Sequence, residues 1–164
     1  MNCDPPSQTL KLFLHAPVYF YRWHLGWMLG KRFLLLIHTG RRTGVRRRTV
    51  LEVLEYRPEY SEAVVMSGFG RDADWLRNIR AREDEEIVIA ARHFCATHRF
   101  LGEDEAIRVI ESYERKNRWI APLVRYVLSR LLGWRYHGTE AERRRLVEQL
   151  PLIAFRPARA GRRA

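Results

Sequence analysis

The sequence has few cysteines, no uninterrupted apolar run long enough to cross a membrane, and too few acidic residues to balance its basic ones. Only two of the 164 residues are cysteines, Cys3 and Cys95. This excludes a disulfide framework and favours a reduced, cytoplasmic setting. Lys11 and Arg22 interrupt the N-terminal apolar stretch, so we expect no transmembrane helix there. Asp4 stands where a signal peptide would carry basic residues, so we expect no secretory signal.

The sequence also lacks the usual arrangements of catalytic side chains. It contains no nucleophile elbow and no Ser-His-Asp arrangement. His93, Cys95 and His98 form an H-x-C-x-x-H pattern, but on a strand His98 points away from the other two, and we predict no metal site. The carboxylates of residues 83–86 follow a predicted helix, and we expect a solvated turn. The catalytic residues therefore stay unknown at this point.

Basic residues dominate the charge. Lys and Arg number 30 against 19 Asp and Glu, for a formal net charge of +11, which favours anionic partners. Five arginines fall between residues 41 and 48, in the loop sequence "TGRRTGVRRR". The glycines are too close together for a P-loop. The anion could be a nucleic-acid backbone, a lipid headgroup or a cofactor phosphate, but no nucleic-acid-binding motif is present and we expect no specific nucleic acid.

The periodicity predicts an α+β fold. Apolar runs and alternating patterns predict six short strands that are adjacent in the sequence, which favours antiparallel pairing in a small barrel. Helical spacing predicts helices at the N-terminus, after strand 3 and near the C-terminus, the last with a Thr139–Glu142 capping box. We predict an amphipathic helical segment at 1–32, a six-stranded, mainly antiparallel barrel domain at 33–157 and a basic tail at 158–164.

A glycine-rich turn, "SGFGRDA", follows the third predicted strand. Gly68, Gly70 and Ala73 match the dinucleotide fingerprint, but Arg92 and His93 stand where an acidic residue should hold a ribose, and no run of βαβ units follows. We therefore reject a Rossmann fold. The turn retains a local property: its glycines allow a ligand to approach the backbone closely, next to a helix N-terminus.

Three segments in a fixed order resemble the deazaflavin-dependent nitroreductase and quinone reductase family. They are "LLLIHTGRRTGVRRRTVLEV", "VVMSGFGRDADWLRNIRA" and "LPLIAFRP". The resemblance implies a split β-barrel like that of flavin-binding oxidases. It also implies binding of the deazaflavin coenzyme F420 and hydride transfer from its reduced form to an acceptor. The phosphodiester and polyglutamate tail of F420 suit an arginine-dense loop with fork-like donors.

The resemblance also implies cofactor-binding roles by position. The residues are Arg41, Arg42, Thr43, Gly44 and Arg47 for the phosphate and acidic tail, Thr49 and Val50 beside the ring, Ser67, Gly68, Phe69 and Gly70 along the ring or its side chain, and Trp75 and Asn78 as the W-x-x-N pair. Many members have proline at two positions where this chain has Arg46 and Val50.

Several alternatives stay open. The acceptor is a quinone, an activated alkene or a nitro compound, small or lipophilic, and FMN is the alternative cofactor. A non-catalytic F420- or flavin-binding protein and a basic nucleic-acid-binding protein are the alternative functions. The aromatic segment at residues 10–30 is compatible with two arrangements: a helix packed on the domain's own core, which is the more common one, or peripheral contact with the inner face of the membrane. A homodimer is also compatible with the sequence.

Overall fold

Six strands form the frame of the protein. A computed structural model describes residues 31–158. The predicted N-terminal helix and almost all of the basic tail lie outside these residues. The strands are β1 (Phe33–Thr39), β2 (Arg46–Arg57), β3 (Glu62–Met66), β4 (Glu86–Ile89), β5 (Arg92–Phe100) and β6 (Leu152–Pro157).

Four helices decorate this frame within the described residues. They are α1 (Asp74–Ala81), α2 (Glu103–Lys116), α3 (Ala121–Leu132) and α4 (Glu140–Gln149), with short 3-10 turns at Pro58–Tyr60, Gly70–Asp72 and Arg118–Ile120. The predicted capping box is confirmed, because Thr139 Oγ1 accepts from the Glu142 backbone and the Glu142 carboxylate accepts from the Thr139 backbone. None of the helices in residues 31–158 combines the length and the apolar character that crossing a membrane needs.

The strands close into a barrel in the order β1-β2-β3-β6-β5-β4, and every pairing is antiparallel. The predicted α+β split barrel is thereby confirmed. The β1–β2 register pairs Leu36 with Thr49 and His38 with Arg47. Directly opposed residues of an antiparallel pair share a face. His38, Arg47 and Thr49 therefore lie on the same face as the buried Leu34 and Leu36.

The inward-facing residues form one apolar core, and α1 covers it. The alternation of β1, β3 and β6 places every second side chain inside, in contact with Trp75, Leu76 and Ile79 of α1. These three residues recur at helical spacing on one side of α1, which explains why this short helix docks here. Trp75 packs on Phe155 of β6 with ring centroids 6.5 Å apart.

A second apolar cluster lies on the outer face of the barrel. It joins outward-facing residues such as Val64 and Ala154 to α2, α3 and α4. Beside it, Arg57 and Arg99 bind Glu62 and Glu105, at distances of 2.6 to 3.0 Å. The side chain of Glu62 is 5% exposed, so this ionic network is partly buried.

Two expectations from the sequence are wrong in detail. The alternation of residues 48–56 predicts a second strand over that range. Strand β2 instead begins at Arg46, because Arg46 and Arg47 pair with Thr39 and His38 of β1. The acidic turn at residues 83–86 is not fully solvated. Glu85 is 2% exposed, and its Oε1 lies 2.5 Å from Nδ1 of His98.

Candidate functional site

The loop between β1 and β2 is held in a compact shape by its own backbone. The Gly40 N–H donates to the Val45 carbonyl at 2.9 Å, and the Gly44 N–H donates to the Gly40 carbonyl at 2.8 Å. Gly44 has φ of +66°, a conformation that side chains rarely adopt. The exposed Arg42 is therefore carried on a defined turn.

The five clustered arginines differ in whether they pair with a carboxylate. Arg41 donates to Asn78 Oδ1 and Asp74 Oδ1, both at 3.0 Å, and its backbone N–H also donates to Asn78 Oδ1. Arg46 is paired with Glu86 and lies 3.8 Å from Asp84. Arg42, Arg47 and Arg48 are exposed and form no ion pair with a carboxylate in the described part of the chain.

Two of these unpaired arginines, Arg47 and Arg48, border an open cavity of about 590 Å³. Three elements beside β1 line it: the start of β2, the glycine-rich turn and the start of α1. Its lining residues are His38, Arg47, Arg48, Thr49, Phe69, Ala73, Asp74 and Trp75. The cavity thus combines guanidinium groups with two aromatic side chains. Phe69 is 55% exposed, which leaves an aromatic surface at the mouth.

A chain of hydrogen bonds links the loop to the floor of the cavity. Asn78 accepts from Arg41 through Oδ1, and its Nδ2 lies 3.2 Å from Nδ1 of His38. Nε2 of His38 lies 3.2 Å from Oγ1 of Thr49. His38 and Asn78 are 2% and 3% exposed, so the chain runs through the protein interior.

The direction of these bonds follows from Arg41, which can only donate. Since Oδ1 of Asn78 receives the Arg41 donors, Nδ2 faces His38 and donates to Nδ1. The ring proton of a neutral His38 then lies on Nε2 and is donated to Thr49 Oγ1. The Thr49 hydroxyl then keeps its own proton, and Thr49 lines the cavity.

Electrostatics keep His38 neutral. Burial lowers the pKa of His38 below its ordinary value, and the positive charges of Arg47 and Arg46 lower it further. The pKa of Asp74 is also lowered. Here the cause is Arg41, whose hydrogen bond and positive charge stabilise the carboxylate. At neutral pH this series of hydrogen bonds therefore has a single arrangement of donors and acceptors.

The glycine-rich turn shapes the opposite wall. Ser67 is fully buried, and its hydroxyl donates to the Gly70 carbonyl at 2.7 Å. Gly70 has φ of +73°. This closed turn projects Phe69 toward the cavity.

Of the residues predicted from the sequence, the structure places four directly on the cavity: Arg47, Thr49, Phe69 and Trp75. Arg41, Thr43, Gly44, Ser67, Gly70 and Asn78 belong to the loop, the turn and the bonds that support them. Arg42 lies exposed on the loop, and Gly68 lies in the turn. Val50 pairs with Leu35 and lies on the face of β2 opposite to Thr49.

Sequence reasoning missed His38 and Arg48 as cavity residues. A signal for His38 was present, because it follows Leu34 and Leu36 at the same alternation and therefore faces the interior. Within residues 31–158, no three His, Cys, Asp or Glu side chains form a group that could hold a metal ion. Cys95 is exposed, while His93 pairs with Glu86 and His98 with Glu85.

Comparison with known families identifies the family of the chain. The sequence profile of the F420H(2)-dependent quinone reductase family matches residues 21–119. The chain belongs to this family. It is therefore an oxidoreductase that depends on reduced coenzyme F420, as the resemblance in the sequence implied. No curated protein sequence matches the chain.

Three solved structures are similar to this chain, and the first of them shares its fold. A proposed pyridoxamine 5′-phosphate oxidase from Listeria innocua has a TM-score of 0.50 at 8% identity, covering 86% of this chain and 94% of that one. An F420-H2 dependent reductase, FDR-A, has a TM-score of 0.49 at 16% identity, covering 77% and 96%. A domain-swapped dimer has a TM-score of 0.49 at 14% identity, covering 85% and 99%.

The residues of the reductase fit coenzyme F420. The cofactor combines a flat conjugated ring with a phosphodiester and several carboxylates. The cavity offers Trp75 and Phe69 for the ring, the unpaired Arg47 and Arg48 line it, and the unpaired Arg42 is exposed on the loop between β1 and β2. Three unpaired arginines exceed what the single phosphate of FMN requires, which favours the deazaflavin.

Proposed function

We propose that the reductase passes a hydride from F420H2 to a quinone or another flat conjugated acceptor at the open end of its barrel. The observation that carries this proposal is the set of unpaired arginines beside a cavity with aromatic walls. When bound, reduced F420 supplies the hydride, so the protein needs no redox-active side chain. The residues of the chain bind, orient and exclude water.

The anionic end of the cofactor is assigned to Arg42, Arg47 and Arg48. Their guanidinium groups present paired donors that match phosphate and carboxylate oxygens. Because they have no carboxylate partner in residues 31–158, binding an anion breaks no ion pair within this region. Arg41 has mainly a structural role, because its hydrogen bonds to Asn78 and Asp74 fix the loop that carries Arg42.

The conjugated end is assigned to the cavity walls. Trp75 and Phe69 offer apolar surface for a ring, and Ala73 leaves room between them. Thr49 presents its hydroxyl proton as a donor, oriented by His38. The buried chain from Arg41 to Thr49 thereby couples the position of the anion-binding loop to the donor that faces the ring.

The acceptor class follows from the open mouth of the cavity. An open site beside the exposed Phe69 suits a flat, lipophilic molecule that enters from one side. The family description names quinones, and we extend it to this chain. The predicted membrane contact through residues 10–30, the cytoplasmic location and a homodimer stay predictions.

Fluorescence titration with oxidised F420 tests the anion assignment. We expect the charge reversal Arg42→Glu with Arg47→Glu to weaken binding by about 100-fold or more, because each charged hydrogen bond contributes about 1.5–3 kcal/mol. The matched control is Arg92→Glu with Arg108→Glu, which changes the net charge equally at exposed positions away from the cavity. Equal weakening by both pairs would contradict the assignment.

The acceptor is tested by turnover. Reduced F420 is mixed with the wild-type protein and a soluble quinone, an enone or a nitroaromatic compound, and oxidation of the cofactor is followed by absorbance. We expect the quinone to be reduced fastest. A protein that binds F420 but oxidises it with none of the three acceptors would contradict the proposed hydride transfer while leaving the binding site intact.

A further inference from the structure

Outside the cofactor site, the segment around α3 concentrates positive charge. Residues 115–139 contain six basic residues and no Asp or Glu. The basic residues are Arg115, Lys116, Arg118, Arg125, Arg130 and Arg135. Most of this segment lies beyond residue 119, where the family match ends. The charge therefore needs an explanation that the cofactor site does not supply.

The outer side of α3 is apolar. Trp119, Leu123 and Tyr126 are 75%, 55% and 62% exposed, although they are large hydrophobic residues. Leu123 and Tyr126 are three residues apart on one face of α3, and Trp119 lies in the 3-10 turn Arg118–Ile120 that leads into the helix. The opposite face of α3 carries Leu128, which is buried in the second apolar cluster.

A cleft of about 660 Å³ adjoins this apolar face. Arg125, Arg130 and Arg135 line it together with Tyr126 and Trp134. All three arginines are exposed, and none forms an ion pair within residues 31–158. Free guanidinium groups beside exposed aromatic residues form a surface that can bind phosphate and cover hydrocarbon at the same time.

We propose that this α3 face docks on an anionic phospholipid surface. Trp119, Leu123 and Tyr126 would enter the interfacial layer, where aromatic residues are favoured, and the arginines of the cleft would bind lipid phosphates. A nucleic acid offers phosphates but no hydrocarbon for Leu123. A second copy of the chain would place two strongly positive faces against each other.

The C-terminal end of α3 lies close to the cofactor cavity. A Cβ built on Gly68 lies 3.6 Å from Leu131 Cδ1, so α3 touches the glycine-rich turn that carries Phe69. A lipid-bound α3 would therefore hold the mouth of the cavity near the bilayer, where a lipophilic quinone dissolves. This consequence, unlike lipid binding itself, rests on the proposed function.

Vesicle flotation of the full-length protein tests the proposal. We expect flotation with vesicles of equal parts phosphatidylcholine and phosphatidylglycerol, and little with phosphatidylcholine alone. Changing Arg125, Arg130 and Arg135 to Gln should weaken partitioning by about 100-fold. The control changes Arg82, Arg92 and Arg108 to Gln, which removes the same charge from exposed positions elsewhere.

The apolar part is tested separately. We expect Trp119→Ser with Leu123→Ser to weaken vesicle binding, whereas Tyr60→Ser, at a residue that is 66% exposed, should not. Thermal unfolding checks that every variant is folded, independently of F420. Equal effects of the face and control variants would overturn the proposal. So would flotation that needs only residues 1–30, or tighter binding of an RNA oligomer than of vesicles at the same face.

Discussion

Two groups of arginines on opposite sides of the barrel wall differ in how their charges are satisfied. On the outer face, Arg57 and Arg99 are surrounded by Glu62 and Glu105. At the cavity and on the loop between β1 and β2, Arg47 and Arg42 have no carboxylate partner in the described part of the chain. The first group is neutralised by the fold, and the second is the group that we propose to bind the anionic end of the cofactor.

The difference teaches that the density of arginines does not by itself mark a binding site. Arg46 lies within the dense cluster, yet it is paired with Glu86 of β4. Arg48 is two residues further along β2 and lines the cavity. What separates a structural arginine from a ligand-binding one is the acidic residue that the neighbouring strand brings to it.

The largest expected effect follows from opening the outer network. Glu62→Ala removes a carboxylate that is 5% exposed and leaves Arg57 and Arg99 without one of their partners. Removing one partner of a fully buried pair costs about 3–5 kcal/mol. Because Arg57 and Arg99 are partly exposed and keep Glu105, the free energy of unfolding in urea should fall by less, about 2 kcal/mol. Arg47→Ala at the mouth should change it by less than about 0.5 kcal/mol. Similar losses for both variants would remove the contrast.

The outer ionic network and the cavity are expected to lose stability over different pH ranges. Burial alone would raise the pKa of Glu62, but hydrogen bonds and positive charge from Arg99 and Arg57 outweigh burial and lower that pKa. The hydrogen bonds from Arg99 lower the pKa of Glu105 from 4.5 to about 2. Because the unfolded chain binds these protons more readily, their stabilisation is complete above 4.5 and is lost as the pH falls toward 2.

His38, on the floor of the cavity, affects stability at higher pH. Its pKa is lowered from 6.5 in the folded state, so its share of the stability is present above 6.5 and is lost as the pH falls below that value. We expect urea denaturation to show a first decrease below about 6.5, which His38→Asn abolishes, and a second below 4.5, which it leaves unchanged. A first decrease that persists in His38→Asn would assign it to another group.

A smaller effect is expected at Thr49. Thr49→Val keeps the shape of the side chain but removes the hydroxyl, and should weaken F420 binding or hydride transfer by up to about 10-fold, the value of one neutral hydrogen bond. Thr49→Ser, which keeps the donor, should stay near wild type. The measurements are the fluorescence titration and single-turnover oxidation of F420H2. A Ser variant as weak as the Val variant would point to packing rather than to the donor.

The smallest effect concerns Gly40. A Cβ there would lie 2.9 Å from Thr43 Oγ1 and 3.1 Å from Arg47 Nε. Gly40→Ala should therefore displace Arg47 and weaken F420 affinity several-fold. Gly102→Ala, where an added Cβ meets nothing within 4 Å, is the control and should leave the affinity unchanged. Unchanged affinity in Gly40→Ala would show that Arg47 does not contribute from its present position.

The elements of the fold could be predicted because their signals are local. Alternation identified the strands, and the Thr139–Glu142 pair identified the start of α4. The start of β2 was missed because Arg46 and Arg47 carry no strand preference of their own and are held by pairing with β1. Glu85 was placed in solvent because an acidic run is usually exposed, whereas here His98 of β5 lies against it.

By itself, the sequence determined the barrel, the arginine loop and the membership of the F420-dependent family, since these depend on periodicity and on motifs that are contiguous in the chain. Only the tertiary structure decided which arginines stay free and that His38 orients Thr49 beneath the cavity. The reason is physical. Charge pairing and hydrogen-bond direction depend on distances of about 3 Å between residues far apart in the chain, and only the closed barrel sets those distances.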